Sequence, residues 1–186
     1  MKSKKQGNNN LKLHRKTHRI FAIIFLFFFL ILSGTGILLG WKKHSAGVIL
    51  PESKSGSSTN INEWLSFDSL STIALSVWHD SVSENISATI ARIDARPDKG
   101  MVKFVFENHL TEIQLDASTG SVLYVGKRWS DLIEHLHDGS FIDRWLGINN
   151  EYFKLTYITL MGLSLLTLSI TGFFLWRRNG IKRSKP

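Results

Sequence analysis

IFAIIFLFFFLILSGTGILL, residues 20–39, is a run of twenty residues without one charged side chain. A helix rises about 1.5 Å per residue, so this run reaches about 30 Å, the hydrocarbon thickness of a bilayer. LTYITLMGLSLLTLSITGFFLW, residues 155–176, repeats the property. The core helices of soluble proteins rarely run this long uncharged, so two transmembrane helices are expected, at 14–41 and 155–176. The first run exceeds the roughly 7–15 apolar residues of a signal peptide, and no clear Ala-x-Ala follows it. It therefore reads as an anchor rather than a cleaved leader.

Charge orients the two spans. Residues 1–19 carry seven Lys and Arg and no acid, and residues 177–186 carry five and again no acid. All fifteen acids lie between residues 41 and 151, where they face ten bases, so the middle is net −5. Lys and Arg close to a span resist translocation. Both tails are thus expected in the cytoplasm and the middle on the outer side. The overall charge of +8 hugs the spans, so lipid headgroups account for it and no nucleic-acid partner is expected. There is no cysteine. That excludes disulfides, thiolate metal sites, Cys-ligated iron–sulfur clusters and covalent c-type haem within the chain.

The middle reads as a linker at 42–60 and a small α+β domain at 61–139, followed by a connector at 140–154. Pro51 to Asn60 is polar and rich in Ser, the composition of a flexible tether. A helix capped by Asp68 or Ser69 should put Leu70, Ile73, Ala74, Val77 and Trp78 on one face. Strands follow: a weak one at 88–95, then 101–107, 110–115 and 122–125. Val102, Phe104 and Phe106 alternate toward one side. Turns are expected at 96–100, at Asn108-His109 and at Asp116 to Gly120, and a short helix at 129–137. One helix on an antiparallel sheet is the natural packing. With fewer than 80 residues that core is small, which makes support from the membrane or a partner plausible. Residues 1–10 read as disordered.

Few residues offer chemistry. Neither apolar run, 20–39 or 155–176, contains a charged side chain, which argues against a pump or transporter. Phosphate-loop, nucleophile-elbow, dinucleotide-binding and zinc-protease motifs are absent, so no catalytic residue and no metal site is expected. Asn85-Ile86-Ser87 fits a glycosylation acceptor, a triplet that often arises by chance. Ser118 and Thr119 sit in a poor match to a flavin-attachment pattern. The histidines stand out. His14 and His18 share a helix face at the inner boundary, His44 ends the first helix, and His135 and His137 precede the second span. Imidazoles at helix ends can ligate haem iron from two sides. An outer haem could use His44 with His137, whereas an inner one would need a second copy of the chain or another subunit. The competing reading is that these histidines bond headgroups and backbone. A sequence echo also links the spans. Leu30-x-Leu32-Ser33-x-Thr35-Gly36 resembles Leu166-x-Leu168-Ser169-x-Thr171-Gly172. Thr35, Gly36, Thr171 and Gly172 are therefore expected at helix–helix contacts.

These pieces, in this order, resemble the PepSY-associated transmembrane proteins. His18-Arg19 with the run ending Leu32-Ser33-Gly34-Thr35-Gly36 is similar to that family's first helix. The segment from Ile113 to Leu123, with Asp116 and Thr119-Gly120, resembles the PepSY signature. Leu136-His137-Asp138-Gly139 matches a Leu-His-x-Gly motif, and Leu168 to Arg178 matches the closing helix. The resemblance implies a bacterial inner-membrane protein with a periplasmic PepSY domain. Larger relatives, with about four spans, look like haem-containing reductases tied to iron–siderophore uptake. By position, His18 and His137 become the foremost functional histidines. A b-type haem, electron transfer and a role as homodimer or accessory subunit are what the resemblance implies. A non-catalytic module that binds or restrains a peptidase is the alternative.

Overall fold

The computed structural model describes residues 2–81, 88–107, 109–148 and 150–183. The Asn85-Ile86-Ser87 triplet and the first residue of the Asn108-His109 turn lie outside them. The chain divides into two compact units, Met1–Ile37 with Glu134–Pro186, and Leu38–Ile133.

The first unit is helical. Helix α1 runs Lys2–Trp41 and helix α5 runs Tyr152–Arg183. Both are long and apolar enough to cross a bilayer, over Leu11–His44 and Tyr152–Arg177. Their large side chains are not used up by packing. Ile23, Phe27, Leu30 and Ile37 of α1, and Leu163, Leu166 and Phe173 of α5, are each more than half exposed. So much bare apolar surface calls for lipid around it. Helix α1 also takes in the polar stretch after Lys2 that composition reads as disordered. Extending an existing helix needs no new nucleus, which lowers the cost of adding poor helix formers. Hydroxyls within α5 bond their own backbone. Thr156, Thr159, Thr167 and Thr171 each donate to the carbonyl four residues back, which satisfies them where water is absent.

Helix α3, Trp129–Asp138, leads into a short helix α4, Ser140–Leu146, inside the stretch read as a connector. Gly139 turns the chain between them with φ 78°, a conformation that costs glycine little. Asp143 is 2% exposed, and its carboxylate accepts from the backbone N–H of Phe153 at 3.0 Å and of Lys154 at 2.8 Å. It thus caps α5 from a distance in sequence.

The second unit is an antiparallel sheet of four strands in the order β1-β2-β3-β4, with helix α2 on one face. The strands are Ile90–Arg96, Met101–Phe106, Thr111–Asp116 and Val122–Lys127, and α2 is Phe67–Ser81. Leu70, Ala74 and Trp78 of α2 are fully buried against Val102, Phe104, Phe106, Ile113 and Leu115. The cap is Ser66, whose Oγ accepts from Ser69 N–H at 3.1 Å, one turn before the residues expected to serve.

The opposite sheet face is polar and also buried. Register sets Lys103 beside Gln114 and Val105 beside Glu112, and Lys103, Glu112, Gln114 and Asp116 are all 5% exposed or less. Their cover is the segment whose composition reads as a flexible tether. Lys54 N–H donates to Gln114 Oε1 at 2.8 Å, Gln114 Nε2 donates to Glu52 O at 2.9 Å, and Lys99 Nζ donates to Ser53 O at 2.9 Å. Ser57 N–H donates to Asp116 Oδ2 at 2.7 Å. Gly56 lies so close to the sheet that a Cβ there would sit 2.1 Å from Gly100 O. The segment is a strap, and it gives a small domain a second covered face.

Candidate functional site

Two histidines meet two threonines in a crossed arrangement. His18 Nδ1 of α1 lies 2.9 Å from Thr171 Oγ1 of α5. His137 Nδ1 of α3 lies 2.9 Å from Thr35 Oγ1 of α1. The neighbouring glycines complete the match. A Cβ on Gly172 would sit 3.4 Å from His18 Cε1, and a Cβ on Gly36 would sit 3.4 Å from His137 Cε1. Each imidazole therefore lies on a Thr-Gly pair, and the lack of a side chain on the glycine lets the ring approach. The sequence echo between the spans has this structural counterpart. Thr171 and Gly172 face α1 through His18, whereas Thr35 and Gly36 face α3 rather than α5 through His137.

The hydrogen-bond network assigns the ring protons. A threonine hydroxyl has one hydrogen to give. Thr35 Oγ1 lies 2.6 Å from Ile31 O, and Thr171 Oγ1 lies 2.6 Å from Thr167 O. Each hydroxyl donates along that short contact to its own helix and accepts from the histidine. Nδ1 of each ring then carries a hydrogen, and in the neutral imidazole Nε2 has a lone pair that a ligand could take. A hydrogen bond from the far ring nitrogen is what orients metal-ligating histidines.

Beside His137 an apolar cleft of about 560 Å³ opens, lined among others by Phe29, Leu32, Tyr157 and Met161. That volume falls within the roughly 300–1,000 Å³ of cofactor pockets. Asp138 is on its rim. Burial alone would raise the Asp138 carboxyl, but bonds from Ser140 and the Lys154 ammonium, 3.3 Å away, outweigh burial and hold it below the usual carboxylate range.

The other histidines are placed differently. His14 stacks on Phe174 with ring centroids 5.3 Å apart, and His44 sits edge-on to Trp41 at 6.4 Å. His135 Nδ1 lies 2.8 Å from Ser140 Oγ. Among the described residues no group of three or more His, Asp or Glu side chains converges as a metal would require.

A family model described as the PepSY-associated TM region matches residues 15–186. The chain belongs to the PepSY-associated TM region family. No curated protein and no solved structure matches it. The matched region contains both histidine–threonine pairs, α1 from residue 15 onward, all of α5 and the four-stranded domain, while His14 falls just outside it. In this member of the PepSY-associated TM region family, His18 and His137 are the residues whose surroundings could hold a cofactor. Both present an imidazole Nε2 with a lone pair, and His137 adds a cofactor-sized apolar cleft.

Sequence reasoning missed two functional features. The cleft beside His137 draws on three separate helices, so no local pattern announces it. The buried charges Lys103 and Glu112 sit on strand positions that ordinarily face water, and Arg128 follows the last residue of β4.

Proposed function

We propose that this membrane protein is an accessory subunit for electron transfer across the bilayer in the service of iron uptake, with His18 and His137 as axial ligands of b-type haem. The observation that carries the reading is the pair of crossed His–Thr hydrogen bonds, both 2.9 Å, each of which leaves Nε2 open. Thr35 is seventeen residues from His18 in α1, about 25 Å along the helix axis. One imidazole therefore belongs near each boundary of a hydrocarbon layer about 30 Å thick. Bound haem would supply one-electron chemistry. The chain's own part is to hold and orient the rings: Thr171 and Thr35 fix their rotation, Gly172 and Gly36 let them seat, and the apolar cleft at His137 excludes water.

Each end offers one such imidazole, and a bound haem would draw any further ligand from another histidine of the chain, another copy of it or a membrane partner. A homodimer is the simplest arrangement. The basic tails support cytoplasmic termini, a periplasmic domain and, for a bacterial protein, the inner membrane. The process is suggested by the family resemblance, whose larger members look like haem-containing reductases tied to iron–siderophore uptake. To test the function, protein purified from haem-replete cells is placed in vesicles that enclose ferricyanide, and dithionite is added outside. The reading predicts that interior ferricyanide is reduced faster than in empty vesicles, and that His18→Ala and His137→Ala each abolish the gain. Equal rates with and without protein overturn it.

A further inference from the structure

The second unit contains a cleft of about 630 Å³ that the haem reading leaves unused. Seven Lys and Arg side chains line it against three carboxylates, Glu52, Asp94 and Asp98. Its floor is built from the polar sheet face. Lys103 lines the cleft yet is 4% exposed, and Arg128, 7% exposed, lines it beside Lys103.

The acid behind them is already committed. Glu112 Oε1 accepts from Gln114 Nε2 at 2.5 Å, and Glu112 Oε2 accepts from Arg128 Nη1 at 2.5 Å. Arg128 also pairs with Asp131 at 2.9 Å. Lys103 Nζ is left with Glu112 Oε1 at 3.4 Å, beyond the usual length of such a bond. A buried ammonium so weakly compensated is costly. Burial holds Lys103 below the ordinary lysine range, the pull of Glu112 notwithstanding, and Arg96 and Arg128 add repulsion. Nor does the rim neutralise itself. Arg92 takes Asp94 at 3.4 Å, and Lys99 is bonded to Ser53 O, a neutral carbonyl. Among the described residues no carboxylate lies within ion-pair reach of Arg96. Of the cations in the floor and rim, Lys103 has only the 3.4 Å contact and Lys99 only a neutral carbonyl.

We propose that this cleft is a binding site for a phosphate group, with Lys103 and Arg128 as its floor and Arg96 and Lys99 as its rim. Guanidinium forks suit phosphate oxygens, and ammonium groups add point charge. The phosphate can be that of an anionic lipid headgroup or of a soluble ester. Lys43 also lines the cleft and follows Trp41, the last residue of α1, by two positions. Lys43 also falls near the end of the candidate span Leu11–His44, a position where basic side chains attract anionic headgroups.

The test uses the full chain in a zwitterionic detergent at fixed ionic strength. It is titrated calorimetrically with inorganic phosphate, with short-chain phosphatidylglycerol and with short-chain phosphatidylcholine. Saturable binding of phosphate or phosphatidylglycerol, but not phosphatidylcholine, is expected. Arg96→Gln and Lys103→Met should each weaken it about tenfold or more, the loss of one charge-assisted bond. Tighter binding of phosphatidylglycerol than of inorganic phosphate makes the source a lipid, and the reverse makes it a soluble ester. Arg96 is on the rim, so its variant keeps the test decisive if Lys103→Met fails to fold. Absent binding, or binding that Arg96→Gln leaves unchanged, overturns the proposal. Haem content plays no part in this readout.

Discussion

If the His–Thr bonds hold the helical unit together, coupling energies should follow the crossed pairs and not the order of the chain. The perturbation is a set of double-mutant cycles built from His18→Ala, His137→Ala, Thr35→Val and Thr171→Val. Valine keeps the shape of threonine and removes the acceptor, so His Nδ1–H loses its partner in a water-poor site. Each bond is a single contact of 2.9 Å. Measured hydrogen bonds between membrane helices are worth about 0.6 kcal/mol on average, with a maximum near 1.7. We therefore expect a coupling of about 1 kcal/mol for His18 with Thr171 and for His137 with Thr35, a factor of about five in the unfolding equilibrium. The uncrossed pair, His18 with Thr35, is about 25 Å apart along α1 and should be additive within about 0.3–0.5 kcal/mol. Reversible unfolding in bicelles by steric trapping measures all four corners. Crossed couplings indistinguishable from zero, or no larger than the uncrossed one, would refute the reasoning.

Other expectations concern the domain and the glycines. Asp116 accepts from Ser57 N–H and Oγ and from the N–H groups of Ser118 and Thr119, at 2.7 to 3.1 Å. Burial opposes its charge, yet these bonds hold its pKa below the ordinary value. The folded state thus binds its proton less readily than the unfolded chain does. The stability from Asp116 is complete above the ordinary carboxylate value and is lost as pH falls through the lower folded value. Chemical denaturation across acidic pH should show that loss in the wild type, with a flatter profile in Asp116→Asn. Glu112→Gln strips the shared acid from Arg128 and Lys103 and should cost about 3–5 kcal/mol, read as the shift in denaturation midpoint. Gly36→Leu and Gly172→Leu put a side chain where an imidazole ring rests and should lower stability by about 1–3 kcal/mol each. Unchanged melting of both would sever the link between the glycines and the rings.

The sequence made some of this architecture legible and concealed the rest for identifiable reasons. Two uncharged runs can satisfy their backbone in lipid only as helices, so α1 and α5 follow from composition. The α2 face and the alternation of Val102, Phe104 and Phe106 are local periodicities, and the core they build lies on the page before any coordinates. The strap was hidden because Pro51 to Asn60 acts through backbone groups on Gln114 and Asp116, and composition does not report where a backbone donor points. Glu112 was hidden because a strand's polar alternate positions are read as solvated, and here the strap covers them. The Thr-Gly echo drew attention to Thr35, Gly36, Thr171 and Gly172. It could not reveal that the rings resting there are His18 and His137, because that pairing depends on helices 102 and 153 residues apart in the chain.

The most direct test of the central claim is the absorption spectrum of the detergent-purified protein from haem-replete cells, oxidised and then reduced with dithionite. The variants His18→Ala, His137→Ala and His14→Ala are measured alongside. The account predicts a Soret band that shifts and sharpens on reduction, is diminished or lost in the first two variants and survives in His14→Ala. A flat spectrum in the wild type, or a band indifferent to both His18 and His137, would contradict it.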